Sequence, residues 1–94
     1  MRKTAIVTGG SRGIGYGIAS QLVDDGYNIA ILDVNDPAQY QENLDRLTQK
    51  GAEVYYMQGS IAQTADREAF VKETVRRFGD IDVLVNNAGV APKV

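Results

Sequence analysis

The chain has 94 residues, a hydrophobic fraction of 44% and a formal net charge of −2. That is enough for one small globular domain and too apolar for a disordered chain, and with no basic run there is no nucleic-acid or anionic-membrane surface to expect. The sequence contains no cysteine and no histidine, which excludes disulfides, thiolate metal sites, thiol nucleophiles, the Ser-His-Asp triad and most transition-metal sites.

Met1-Arg2-Lys3 leads directly into a short apolar run, Thr4-Ala5-Ile6-Val7. The run is too short for a signal-peptide core and is followed by glycines rather than a cleavage site. No segment is long or apolar enough to span a membrane, so the expectation is a cytoplasmic protein. Behind this first strand come Thr8-Gly9-Gly10-Ser11-Arg12-Gly13-Ile14-Gly15 and a helical pattern from Ile14 to about Asp25, with Ile14, Ile18 and Leu22 at helical spacing and Gly26 as its stop. A glycine-rich turn between a buried strand and a helix is where a dinucleotide pyrophosphate is held. Gly9 permits the sharp turn, Gly13 lets a phosphate approach the backbone, and Gly15 lets the helix pack close to the sheet. The N–H groups opening the helix then face the diphosphate. A plain turn is the alternative for the loop taken alone.

The next strand is Asn28 to Asp33. Asp36, Pro37 and Gln39 have the pattern of a second helix start, with Asp36 as cap, Pro37 at the first position and Gln39 completing a capping box. Tyr40, Leu44 and Leu47 form its buried stripe, and Gly51 ends it. A third strand covers Glu53 to Met57. A third helix runs from about Thr64 to Phe78, with Asp66 and Glu68 early, Arg76 and Arg77 late, and Phe70, Val71, Val75 and Phe78 facing inward. The fourth strand is Ile81 to Val85. The order βαβαβαβ, with near-continuous apolar strands, predicts an α/β Rossmann-type doubly wound parallel sheet, its N-terminal part, with strand order 3-2-1-4.

The loop reads T-G-x-x-x-G-x-G, and in this it resembles the short-chain dehydrogenase/reductase family. The sugar-nucleotide branch of that family has T-G-x-x-G-x-x-G, which fails here because Arg12 stands three places after Gly9. The resemblance extends to Asn86-Asn87-Ala88-Gly89 at the end of the fourth strand, matching the family's N-N-A-G motif. It implies that Gly9, Ser11, Arg12, Gly13, Ile14 and Gly15 hold a nicotinamide dinucleotide, that the backbone of Asn87, Ala88 and Gly89 lies against the cofactor ribose, and that the asparagine steadies the central strands. Small residues at that strand end also leave room in the crevice where such sheets bind ligands. Asp33 stands 18 residues after Gly15, where a carboxylate can accept hydrogen bonds from both adenine-ribose hydroxyls and repel a 2′-phosphate. Val34 after it is not basic. Both features favour NAD over NADP; Arg12 opposes them, since a cation in the loop can approach a 2′-phosphate. Asp33 and the Asn-Gly run each also have an ordinary reading as turn residues.

One position departs from the family. Where relatives carry an acidic residue that bonds the adenine amino group, followed by an aliphatic one, this chain has Ser60-Ile61. The serine hydroxyl is the weaker acceptor, while Ile61 can still pack on the adenine. The five tyrosines suit packing better than chemistry. The family's catalytic Y-x-x-x-K is absent: Tyr16, Tyr27, Tyr40, Tyr55 and Tyr56 have Ser20, Ile31, Leu44, Gly59 and Ser60 four places on.

The resemblance, closest to the 3-oxoacyl-(acyl-carrier-protein) reductase-like branch, therefore implies one partial NAD(P)-binding domain over residues 1–94, with the catalytic half absent. The apolar fourth strand, unguarded at a sheet edge, fits a chain cut short. Within the full-length enzyme the activity implied is hydride transfer between nicotinamide and a carbonyl or secondary alcohol, in a homo-oligomer, with a small-molecule substrate. A non-catalytic dinucleotide-binding module or partner subunit, or a fragment without function of its own, are the alternatives.

Overall fold

The computed structural model describes residues 2–87. Its elements are β1 (Lys3–Thr8), α1 (Gly13–Asp24), β2 (Tyr27–Asp33), a single 3-10 turn (Pro37–Tyr40), α2 (Gln41–Gln49), β3 (Val54–Gln58), α3 (Thr64–Phe78) and β4 (Val83–Asn86). Among the described residues the sheet has four strands, all paired in parallel in the order β3-β2-β1-β4, as the alternating pattern predicts.

Side chains alternate across a strand, and the core divides accordingly. Ala5, Val7, Ile29 and Ile31 face α1 and α2, joined by Ala19, Val23, Leu44 and Leu47. Ile6, Ala30 and Leu32 face the other way, onto Phe70 of α3. The central strands are buried on both faces, which is why they read as unbroken apolar runs.

Four expectations are corrected. In α1 the buried residues are Gly15, Ala19 and Val23, not the Ile14, Ile18, Leu22 row, and Ile14 is 78% exposed. The close approach of the first turn to the sheet admits only the row of small residues, so the helix is turned by one position. In α3 the row facing the sheet is Phe70, Thr74 and, half-buried, Phe78, while Val71 and Val75 are exposed. Thr74 is accommodated because its hydroxyl donates to the Phe70 carbonyl at 2.7 Å. The segment after Asp36 opens as a 3-10 turn, and the α-helix starts only at Gln41. Asp36 does cap it, its carboxylate accepting from the Ala38 N–H at 2.9 Å, but Tyr40 is only half-buried and the stripe is Leu44 and Leu47. Strand β4 begins at Val83 rather than Ile81. There Asp82 turns its carboxylate to the Thr4 N–H at 2.9 Å while its own N–H donates to the Thr4 carbonyl at 2.8 Å. The second strand ends at Asp33 as expected, and the other remaining strand ends differ from expectation by a residue.

Candidate cofactor site

The site lies at the carboxyl ends of β1, β2 and β4. The Gly9 N–H donates to the Leu32 carbonyl at 2.8 Å, and Gly9 then turns the chain with φ 69°. Arg12 is extended and Gly13 takes φ 61° before α1 begins. Both glycines occupy the left-handed region that side chains disfavour. No side chain caps α1 among the described residues, so the opening N–H groups of the helix are available to an anion.

A cleft of about 350 Å³ opens beside this turn, lined by Gly9, Arg12, Gly13, Ile14, Asp33, Val34, Asn35 and Asn87. Six of the residues singled out from sequence thus share one wall. A Cβ on Gly13 would meet no atom within 4 Å, whereas one on Gly15 would stand 2.0 Å from the Gly9 carbonyl oxygen and 2.8 Å from Asn87 Nδ2. Gly13 therefore borders open space, and Gly15 lies beneath the loop as the contact that lets α1 approach. Ser60 and Ile61 line an adjoining pocket of about 210 Å³ that also includes Asp33 and Val34. The Ser60 hydroxyl accepts from the Ala62 N–H at 3.1 Å, and its own N–H donates to Asp66 at 2.9 Å. Asn87 donates its backbone N–H to the Thr8 hydroxyl at 2.9 Å and its side-chain amide to the Gly9 carbonyl at 3.3 Å, tying the end of β4 to the glycine loop. Ala88 and Gly89 lie outside the described residues.

The sequence did not reveal how Asp33 is held. Asp33 and Ser11 are both buried. Asp33 Oδ2 accepts the Ser11 hydroxyl at 2.7 Å and the Ser11 N–H at 3.2 Å, and Oδ1 accepts the Asn35 N–H at 3.2 Å. The Asn35 amide donates to the Ser11 hydroxyl at 3.3 Å, and Asn43 from α2 donates to the Ser11 carbonyl at 2.9 Å. Tyr56 of β3 donates its hydroxyl to the Asn35 carbonyl at 2.7 Å. Burial, then the nearby Asp33 charge, push the Tyr56 phenol up to about 12. Asn35, Asn43 and Tyr56 were not expected at the site. Asn35, two places after Asp33, has the spacing of an Asx turn; Asn43 and Tyr56 carry no local signal. Tyr55 is structural, stacked on Phe70 with ring centres 5.7 Å apart and covered by Arg77.

Comparison with known proteins identifies the family. The short chain dehydrogenase family model matches residues 3–94. The 3-oxoacyl-[acyl-carrier-protein] reductase FabG of Staphylococcus aureus is 41% identical over 90 residues, covering 96% of this chain and 37% of that protein. A diacetyl reductase [(S)-acetoin forming] of Staphylococcus epidermidis is 40% identical, covering 96% of this chain and 35% of that protein. The crystal structure of a 3-oxoacyl-[acyl-carrier protein] reductase from Brucella melitensis in complex with NAD superposes with a TM-score of 0.84 at 39% identity, over 95% of this chain and 34% of that one. The chain belongs to the short-chain dehydrogenase/reductase family of oxidoreductases. It spans little more than a third of the length of these curated relatives. Among the described residues no helix is long and apolar enough to cross a membrane.

Proposed function

We propose that this chain supplies the cofactor-binding part of a nicotinamide-dependent oxidoreductase that interconverts a carbonyl compound and a secondary alcohol. The observation that carries this reading is the cleft in which an uncapped helix start, the open backbone of Gly13 and the Arg12 cation meet the buried Asp33 carboxylate. The first three suit a diphosphate; the last suits a ribose carrying free hydroxyls. Ser60 and Ile61 border the pocket proposed for adenine, and Asn87 fixes the strand end proposed to meet the second ribose. When bound, the nicotinamide supplies the hydride that adds to the carbonyl carbon. The protein's part here is to hold the adenosine diphosphate end.

NAD is the proposed cofactor in preference to NADP, because a 2′-phosphate would meet the Asp33 charge. The proposed substrate is a 3-oxoacyl thioester or a smaller ketone, following the two activities named for the relatives, in a cytoplasmic homo-oligomer. Calorimetric titration of the protein with NADH and NADPH tests the first part. The expected result is binding of both, tighter for NADH; binding of neither overturns the proposal. Oxidation of NADH by the full-length enzyme, with acetoacetyl thioester or diacetyl as acceptor, tests the second part.

A further inference from the structure

We propose that Asp33 offers the adenosine ribose one acceptor position rather than two, because Ser11 occupies one of its oxygens. The inference rests on the dinucleotide reading above and goes further, assigning Ser11 as the positioning residue that limits what Asp33 can bind.

An ionised carboxylate has about four acceptor positions, two on each oxygen. The Ser11 hydroxyl and N–H fill both on Oδ2, at 2.7 and 3.2 Å, and the Asn35 N–H fills one on Oδ1, at 3.2 Å. One position is left, on Oδ1. The short hydroxyl contact has the length of a strong charge-assisted bond. Its direction is fixed, because the Asn35 amide can only donate to the serine oxygen, so the single hydroxyl proton of Ser11 is directed to Asp33. Ser11 cannot drift away: Asn43 holds its carbonyl at 2.9 Å. Asn35 is held in turn by Tyr56 at 2.7 Å. With Asp33 6% exposed and Ser11 wholly buried, turning Oδ2 toward a ligand would leave buried polar groups unpaired, at a cost a second ribose contact does not recover. A ribose with adjacent 2′- and 3′-hydroxyls therefore makes one bond to this carboxylate, and its other hydroxyl makes none.

The experiment compares NAD with its two analogues lacking either the 2′- or the 3′-hydroxyl on the adenosine ribose, each titrated calorimetrically against the protein and its Ser11→Ala variant. In the unaltered protein one analogue is expected to bind roughly ten- to a hundredfold more weakly, the loss of one hydrogen bond to a charged group, and the other to stay within about twofold of NAD. In Ser11→Ala the vacated Oδ2 position becomes available and both analogues weaken. Equal losses for both analogues in the unaltered protein overturn the proposal while leaving NAD binding intact. A Ser11→Ala variant that is folded by circular dichroism and still senses one hydroxyl overturns the role of Ser11. Absence of NAD binding in the unaltered protein overturns both this proposal and the reading beneath it.

Discussion

Gly15 of α1 lies so close to Gly9 that a Cβ on it would fall 2.0 Å from the Gly9 carbonyl oxygen. That contact brings the start of the helix under the glycine loop and sets which helical row faces the sheet. Gly15→Ala must displace the loop or tilt α1, and is expected to cost at least the upper end of the ~1–3 kcal/mol typical of overpacking. Gly17, one half-turn on, has nothing within 4 Å of where its Cβ would stand. Gly17→Ala is expected to stabilise by about 0.4–1 kcal/mol, by restricting the unfolded chain. Urea unfolding of the two variants should therefore give opposite signs; equal effects would contradict the packing described.

Gly13 tests the cleft rather than the packing. Its Cβ would enter open space, but its φ of 61° strains any side chain, by about 1–2 kcal/mol. Gly13→Val is expected to remain folded at reduced stability while losing most dinucleotide affinity, since its methyl groups would occupy the space proposed for the diphosphate. NADH fluorescence titration alongside circular dichroism checks this, and unchanged affinity in a folded variant would sink the assignment.

The strand order and the alternation of helices were legible because the strands are apolar on both faces and each helix is followed by glycine. The cleft was legible for the same reason that the glycine loop is recognisable: positive φ at Gly9 and Gly13 and close approach at Gly15 admit no other residue cheaply. The helical rows were less legible. The Ile14, Ile18, Leu22 row is as regular as Gly15, Ala19, Val23, and hydrophobicity favours the wrong one; the Gly15–Gly9 contact decides it. The Ser11–Asp33 pair was not legible at all. It joins residues 22 apart in the chain, and its supports, Asn43 and Tyr56, come from two further elements brought together by the sheet.

Asp33 is also the residue we propose to govern the choice of cofactor. Asp33→Asn removes the charge while keeping the shape, and the repulsion it relieves is on the order of 1 kcal/mol or more beside a phosphate at partly exposed separation. The ratio of NADPH to NADH dissociation constants is expected to fall at least several-fold, with most of the change in NADPH binding. An unchanged ratio would transfer cofactor selection to another residue, Arg12 being the nearest cation in the cleft.

Tyr56 gives the fold an alkaline signature. Its phenol is raised from 10.0 to about 12 in the folded protein, so the protonated form is favoured by folding. That contribution is complete below about pH 10 and is lost as pH rises toward 12. Tyr56→Phe removes both the titration and the bond to the Asn35 carbonyl. The variant is expected to be less stable by about 1 kcal/mol at pH 8 and to lose less stability than the unaltered protein between pH 10 and 11.5. Parallel urea unfolding curves for the two proteins across that interval would contradict the shift.

The same chemistry predicts that the 94-residue chain by itself does not turn over. Reducing a ketone needs a proton donor at the developing alkoxide, poised near the working pH. The sequence has no histidine and no cysteine. Tyr55 and Tyr56 are both shifted upward, each mainly by burial, away from the range useful to an acid-base catalyst. Tyr56 already donates its proton to the Asn35 carbonyl, and the Tyr55 ring is stacked on Phe70. No tyrosine of the chain has a lysine four places on. In the proposed reading the cleft supplies positioning and charge complementarity without a proton. An NADH-oxidation assay of the purified 94-residue chain with an acetoacetyl thioester is expected to match a protein-free control. Turnover above that control, abolished by Gly13→Val, would mean that the proton comes from a group these residues do not reveal.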